Sequence, residues 1–164
     1  MIFVSLGTQD MPFTRLLQMV EEAIQEGTIQ EKVIAQVGCT PYTGSLIETF
    51  QYCDQATMDA YVEQANYIIT HGGTGSIIGA LKKGKKVIAV SRLSKYGEHN
   101  NDHQTQIISQ FSDTDYILEC KEGEALSDVI KRLQDFQPQT FISNTQNVLA
   151  FLEEYIEGVL GGKR

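Results

Sequence analysis

The stretch from His71 to Ser76 contains the residues of this sequence best suited to bind an anion. Gly72, Gly73 and Gly75 follow a short apolar run, and apolar residues with helical spacing come after them. Glycine has no Cβ, so the backbone can take positive φ and an anion can approach the N–H groups at a helix N-terminus. We expect a strand, a turn and a helix here, with a nucleotide diphosphate as ligand. The glycines alone fit a ligand-free turn equally well.

A second polar loop follows the first predicted strand, at residues 2–6. Pro12 then opens a helical pattern, and the loop between holds hydroxyl, amide and carboxylate groups: Gly7, Thr8, Gln9, Asp10 and Met11. Asp10 is also placed to cap the helix. The loop can bind an oxygen-rich ligand, and a simple capped turn explains it equally well.

The longest polar loop of the chain follows the predicted strand at residues 87–90. Loops at the carboxyl ends of parallel strands commonly bind ligands. We expect Asp102, His103 and Gln104 to contact sugar hydroxyls. His99 and His103 are four residues apart, but the sequence offers no convincing third ligand, so we predict no metal site.

These loops require a scaffold in which strands alternate with helices. We predict further strands at residues 32–37, 46–53, 67–70 and 116–120, and helices at residues 56–65, 75–83 and 125–133. The fold class is therefore α/β, with a single Rossmann-like domain over residues 1–164 and a parallel sheet flanked by helices. Residues 144–160 form a predicted C-terminal amphipathic helix, part of whose apolar stripe could meet a partner.

Composition limits the classes of function. Of 164 residues, 41% are hydrophobic and 21% charged, which is ordinary for a globular protein. The formal net charge of −8 argues against nucleic acid as a partner. The chain lacks a basic leader and an apolar run of roughly 20 residues, so we expect a cytoplasmic protein with at most peripheral membrane contact.

Three motifs together resemble the C-terminal, donor-binding domain of family 28 glycosyltransferases. They are Val4-Ser5-Leu6-Gly7-Thr8, His71-Gly72-Gly73-Thr74-Gly75-Ser76 and Asp102-His103-Gln104. The likeness covers roughly residues 2–118. It is strongest to the catalytic subunits of two-component bacterial capsule and exopolysaccharide β-1,4-galactosyltransferases. More distantly, the chain resembles the catalytic subunit of the dolichyl-diphosphate GlcNAc transferase.

The resemblance implies one half of a GT-B fold that binds a UDP-sugar as substrate and needs no metal or other cofactor. The acceptor, a lipid-linked saccharide, would be bound by a membrane-associated Rossmann-like partner subunit at the inner face of the membrane. The implied reaction is an inverting transfer of a hexose, with galactose favoured. The implied donor contacts are Gly7, Thr8 and Gln9 at the diphosphate, His71 to Ser76 at the glycine turn, and Asp102, His103 and Gln104 at the sugar.

An inverting transfer needs a general base for the acceptor proton. The candidates here are His71, Asp10, Glu98 and His99, and the base can also lie on the partner. One position departs from the family pattern, because larger members carry a glutamate for the ribose hydroxyls where this sequence has Gly79. Ribose recognition must therefore differ or come from elsewhere.

Two other functions fit the same sequence. A non-catalytic nucleotide-sugar-binding or regulatory subunit would bind the donor without transferring it. An epimerase-like enzyme on the same fold would convert a UDP-sugar without any acceptor.

Overall fold

The computed structural model describes residues 1–142, which build a six-stranded parallel sheet. The strands are β1 (Ile2–Ser5), β2 (Val33–Gln36), β3 (Glu48–Phe50), β4 (Tyr67–His71), β5 (Lys86–Val90) and β6 (Leu118–Cys120). Their order across the sheet is β3-β2-β1-β4-β5-β6, and every neighbouring pair is parallel. The predicted fold class is confirmed. The predicted helix at residues 144–160 lies outside the described residues.

Helices cover both faces of the sheet. They are α1 (Thr14–Gln25), α2 (Gln55–Gln64), α3 (Thr74–Lys82), α4 (His103–Asp113) and α5 (Leu126–Asp135), with a short 3-10 turn at Ser94–Tyr96. Buried residues of α1 and α5 pack on one face, and those of α3 and α4 pack on the other. Strands covered on both faces bury side chains on both sides, which explains the unbroken apolar runs at residues 2–4 of β1 and 87–90 of β5.

Alternate residues of β1 belong to the two different cores. Val4 packs with α1 and α5, whereas Phe3 packs on the other face. The Phe3 ring stacks on Tyr61 of α2 at a centroid distance of 5.5 Å, and Phe50 stacks on the same tyrosine at 5.1 Å. These rings connect α2 to β1 and to the edge strand β3.

The strand order reverses beside β1. The chain passes from β1 to β2 on one side, while β4 pairs with β1 on the other side. The loop after β1 leads to α1 on one face of the sheet, and the loop after β4 leads to α3 on the opposite face. Loops that diverge in this way leave a crevice at the carboxyl ends of the two strands, and such crevices bind ligands in open α/β sheets.

The prediction that Asp10 caps the first helix is wrong. The helix begins at Thr14, so Phe13 is the N-cap residue, and no side chain caps it. Asp10 lies three residues too early to reach the first free N–H groups. The Phe13 N–H instead donates to Thr40 Oγ1 at 3.0 Å, which joins this helix start to the loop after β2.

Ile69→Ala tests the central packing. Ile69 is fully buried in β4, so we expect the free energy of unfolding to fall by about 3 kcal/mol in urea titrations. Ile142→Ala is the matched control, because this isoleucine is 82% exposed and its truncation should cost less than about 0.5 kcal/mol. Equal losses in the two variants would contradict the described core.

Candidate functional site

The N-terminus of α3 lies at the crevice and has free backbone donors. Only Gly72 and Gly73 stand between β4 and Thr74, the first residue of the helix, and no side chain of the described residues caps it. The N–H groups of the first helical turn have no acceptor within the helix. Together with the helix dipole they attract an anion.

None of the glycines of this turn adopts positive φ, although glycine permits it. Two of them are required by close packing instead. A Cβ on Gly72 would lie 2.6 Å from Cβ of Gln104, and a Cβ on Gly73 would lie 2.2 Å from Nε2 of His71. Gly75 differs from both, because a Cβ there would meet no atom within 4 Å. Its missing side chain leaves open space beside the helix N-terminus.

The loop after β1 is held against this turn. Gly7 has a φ of +78°, and a Cβ there would lie 2.6 Å from Cε1 of His71. Gln36 of β2 binds both backbone groups of Gly7: its Oε1 accepts from the N–H at 3.1 Å, and its Nε2 donates to the carbonyl at 2.8 Å. We did not predict Gln36 as a site residue. The only indication in the sequence was its polar side chain within an otherwise apolar strand.

The other predicted residues of the β1–α1 loop extend from this fixed point. Thr8 and Asp10 are exposed, and Gln9 is half-buried. The Gln9 carbonyl accepts a hydrogen bond from the Cys39 thiol at 3.1 Å. The side chains of Thr8 and Asp10 are therefore accessible to solvent.

His71 is neutral in this structure. Its Nδ1 lies 3.2 Å from the Ser5 carbonyl oxygen, which only accepts, so Nδ1 carries the proton and Nε2 does not. Burial is the main cause that lowers the pKa of the imidazole to about 4; the Ser5 hydrogen bond opposes this shift, and the nearby charges of Arg92 and His99 add to it. So low a pKa makes a weak general base at neutral pH. His71 instead fills the space between Gly7 and Gly73.

Gln104 connects the turn after β4 to the loop after β5. Its Oε1 accepts from the N–H groups of Gly72 and Arg92, both at 3.2 Å. The other two predicted sugar contacts, Asp102 and His103, are placed differently. Asp102 is exposed and its Oδ1 accepts from the Ser94 N–H at 2.7 Å, while His103 is exposed at the start of α4. Of these three predicted sugar contacts, only Gln104 lies at the glycine turn itself.

Arg92 was not predicted as a site residue, yet it joins two of the site's loops. Its guanidinium is buried and donates to three carbonyl oxygens: Leu6 at 2.7 Å, Met11 at 2.7 Å and Glu98 at 3.0 Å. The group also lies over the Phe13 ring, 4.8 Å from its centroid. Arg92 therefore places a positive charge close enough to lower the pKa of His71, which lies at the glycine turn.

The structure gives Glu98 a different environment from that expected of a catalytic base. Its side chain is buried and accepts from Arg15 at 2.9 and 2.8 Å and from the Leu93 N–H at 3.0 Å. A carboxylate with these partners stabilises its own loop. His99 is half-buried, and its Nδ1 accepts from the Asn101 N–H at 3.2 Å.

A pocket of about 200 Å³ lies beside the N-terminus of α3, between α3 and α2. Gly75 and Ser76 form the part of its wall nearest the helix end. The free backbone donors and the pocket are therefore contiguous, and one ligand can occupy both.

In residues 1–142, no three His, Cys, Asp or Glu side chains come together as a metal site would need. No helix in the same range has the length and apolar character to cross a bilayer.

A parallel sheet with an uncapped helix N-terminus at its reversal point is the arrangement of an open α/β domain with a ligand crevice. The sequence profile of the "Glycosyltransferase family 28 C-terminal domain" matches residues 1–158. The chain therefore belongs to this family, and the resemblance seen in the three motifs is confirmed.

Two curated relatives match parts of the chain. The zeaxanthin glucosyltransferase of Pseudescherichia vulneris is 33% identical over 95 residues, which is 54% of this chain and 22% of that protein. The UDP-N-acetylglucosamine transferase subunit ALG13 of Candida albicans is 30% identical over 81 residues, which is 49% of this chain and 26% of that subunit. The matches thus span about a quarter of each relative's length.

Two solved structures share the fold. The solution structure of ALG13 aligns with a TM-score of 0.58 and 19% identity, covering 92% of this chain and 94% of that one. The calicheamicin glycosyltransferase CalG4 aligns with a TM-score of 0.54 and 16% identity, covering 98% of this chain but 43% of that one. The described fold therefore corresponds to one half of a GT-B glycosyltransferase.

Gln104→Leu tests the link between the two loops. The leucine would leave the N–H groups of Gly72 and Arg92 without their acceptor, so we expect a loss of about 2 to 4 kcal/mol in unfolding free energy. Gln104→Glu keeps an acceptor at the same place and should lose less than half as much. Urea titrations of both variants measure this, and equal losses would contradict the described role.

The pKa of His71 makes stability depend on pH. In the unfolded chain this imidazole has an ordinary pKa near 6.5, whereas the folded pKa is about 4. The unfolded state therefore binds more protons between these values, and stability falls as pH drops from about 6.5 to about 4. Each pKa unit is worth about 1.4 kcal/mol, and partial solvent access reduces the total to about 2 kcal/mol.

Urea unfolding at several pH values measures this effect. His71→Gln should remove that part of the acid sensitivity, while His103→Gln, at an exposed position, should keep it. An unchanged pH profile in His71→Gln would be inconsistent with a buried neutral imidazole.

Proposed function

We propose that this chain is the donor-binding, catalytic subunit of a UDP-sugar-dependent glycosyltransferase. The observation that carries the proposal is the uncapped N-terminus of α3, with open space at Gly75, at the reversal point of the sheet. Membership of family 28 supports glycosyl transfer as the reaction. The names of the two curated relatives, a glucosyltransferase and a UDP-N-acetylglucosamine transferase subunit, agree with this class.

The UDP diphosphate would bind the free N–H groups at the start of α3. Gly7, Thr8 and Gln9 would enclose it from the β1 side, and the buried charge of Arg92 would lie beneath it. Donors and dipoles that are already oriented stabilise the charge that develops on a leaving group. In this proposal they lower the barrier to UDP departure.

The reaction would be an inverting transfer of a hexose. An acceptor hydroxyl oxygen would bond to the anomeric carbon while the bond from that carbon to the UDP oxygen breaks, and UDP would keep the electron pair. The acceptor proton needs a base. Asp10 and His99 stay predicted candidates on this chain, since His71 has a low pKa and Glu98 is engaged with Arg15. A base on the partner is the other prediction.

The acceptor would be bound by a second Rossmann-like domain on a membrane-associated partner. The chain aligns with 43% of CalG4 but with 94% of ALG13, which is described as a subunit. We propose galactose as the hexose, a lipid-linked saccharide as the acceptor, and capsule or exopolysaccharide synthesis at the cytoplasmic face of the membrane as the context. The resemblance of the three sequence motifs to the capsule and exopolysaccharide galactosyltransferase subunits supports this choice.

Gly75→Val tests the donor site. Its side chain would enter open space beside the α3 N-terminus, so the fold should persist while UDP affinity falls at least about tenfold. Gly75 is preferred to Gly73, where any Cβ would displace His71. Isothermal titration calorimetry measures the affinity. Lys82→Ala, at an exposed position of the same helix, is the control and should bind normally. Unchanged affinity in Gly75→Val would disprove this placement.

An assay with the partner tests the reaction. The chain is co-expressed with a membrane-anchored Rossmann-like protein encoded beside it and supplied with radiolabelled UDP-galactose, UDP-glucose or UDP-GlcNAc and membrane glycolipid. We expect label to reach lipid from UDP-galactose only. Donor binding without transfer would favour the non-catalytic subunit, and conversion of the donor without acceptor would favour the epimerase-like enzyme.

A further inference from the structure

The pocket between α2 and α3 has an unusual wall. Gly75 and Gly79 lie four residues apart, so they face the same side of α3, and both line the pocket. A Cβ on either glycine would meet no atom within 4 Å. Glycine inside a helix is destabilising relative to alanine. Neither glycine is needed for close packing here, so together they provide space.

The opposite wall carries a carboxylate. Asp59 of α2 lines the pocket, and its Oδ1 accepts from Gln55 Nε2 at 3.1 Å and lies 3.6 Å from Nζ of Lys83. Among residues 1–142 the second oxygen, Oδ2, has no hydrogen-bond partner. The carboxylate is thus oriented by two neighbours and still has an oxygen available to a ligand.

The positive charge at this pocket already has protein partners. The ammonium group of Lys83 forms an ion pair with Glu63 at 2.7 Å as well as the longer contact with Asp59. Glu63 does not line the pocket. Since two carboxylates already surround Lys83, the pocket favours a ligand that donates hydrogen bonds over a second anion.

The remaining lining is mixed: Ser5, Gln55 and Ser76 are polar, and the other residues are apolar. Phe3 and Ile68 rise from the sheet, and Met58 and Val62 come from α2. An apolar floor with one carboxylate at the rim suits a ligand that has a flat or apolar body and neighbouring hydroxyl groups. A nucleoside has both features.

We propose that Asp59 accepts hydrogen bonds from the ribose hydroxyls of the donor nucleotide, reaching from α2 across the space that Gly75 and Gly79 leave open. The inference rests on the proposed function, because Gly75 and Ser76 border both the pocket and the diphosphate site. A ribose offers two adjacent donors, and a carboxylate offers two acceptor oxygens. Asp59 is then a specificity-determining residue whose side chain comes from the helix opposite α3.

Binding of UDP and of 2′-deoxy-UDP to the full chain tests this proposal. Calorimetry of the wild type should give about tenfold tighter binding of UDP. Asp59→Ala should bring the two affinities within about twofold while leaving the affinity for inorganic diphosphate unchanged. Glu63→Gln is the matched control, because it alters the other partner of Lys83 outside the pocket, and it should keep the wild-type preference.

A transplanted carboxylate gives a second test. In Asp59→Ala combined with Gly79→Glu, the new side chain enters the open space of the same pocket from α3, and it should restore part of the preference for UDP. Failure of this rescue would contradict the position given to the ribose.

The outcomes separate the two proposals. A wild type that binds neither nucleotide would overturn the proposed function. A wild type that binds both equally, or an Asp59→Ala variant that keeps the preference, would overturn the role of Asp59 and leave the proposed function standing.

Discussion

The arrangement of the site depends on the buried guanidinium of Arg92. A buried charge must be solvated by the protein, and here three backbone carbonyls from two loops do so. Removing the group would leave those carbonyls without donors and would release the β1–α1 loop from the β5–α4 loop. The same contact therefore holds the two loops together and keeps positive charge near the candidate anion site.

Two glutamines add further links between the loops of the site. Gln36 holds Gly7, and Gln104 holds Gly72 and the backbone of Arg92, so the loops after β1, β4 and β5 are connected by side-chain to backbone hydrogen bonds. Satisfied buried polar groups make a site rigid. Because these hydrogen bonds fix the loops, the N-terminus of α3 stays ordered without a capping side chain. Its backbone N–H groups remain directed at the crevice.

The fold alone would not distinguish among nucleotide-binding proteins, because many activities share it. Family membership limits the class of reaction, and the chemistry of the pocket limits which ligands fit it. Gly75 and Gly79, on successive turns of α3, lower the stability of the helix, and the carboxylate of Asp59 lies on the opposite helix. This pairing of an open wall with a charged wall places the candidate ligand contacts on two helices.

The sequence by itself determined the strands, most helices, the parallel α/β class and the position of the glycine turn, because apolar periodicity and glycine act over a few neighbouring residues. Helix starts such as that of α1 were less predictable, since the partner of the Phe13 N–H is Thr40, which is distant in sequence. Only the tertiary structure decided that Arg92 contacts Leu6, 86 residues away, and that Gln104 contacts Gly72, 32 residues away. Local patterns do not specify which loops meet at one edge of a sheet, because strand order and the packing of buried polar groups arise from the whole chain.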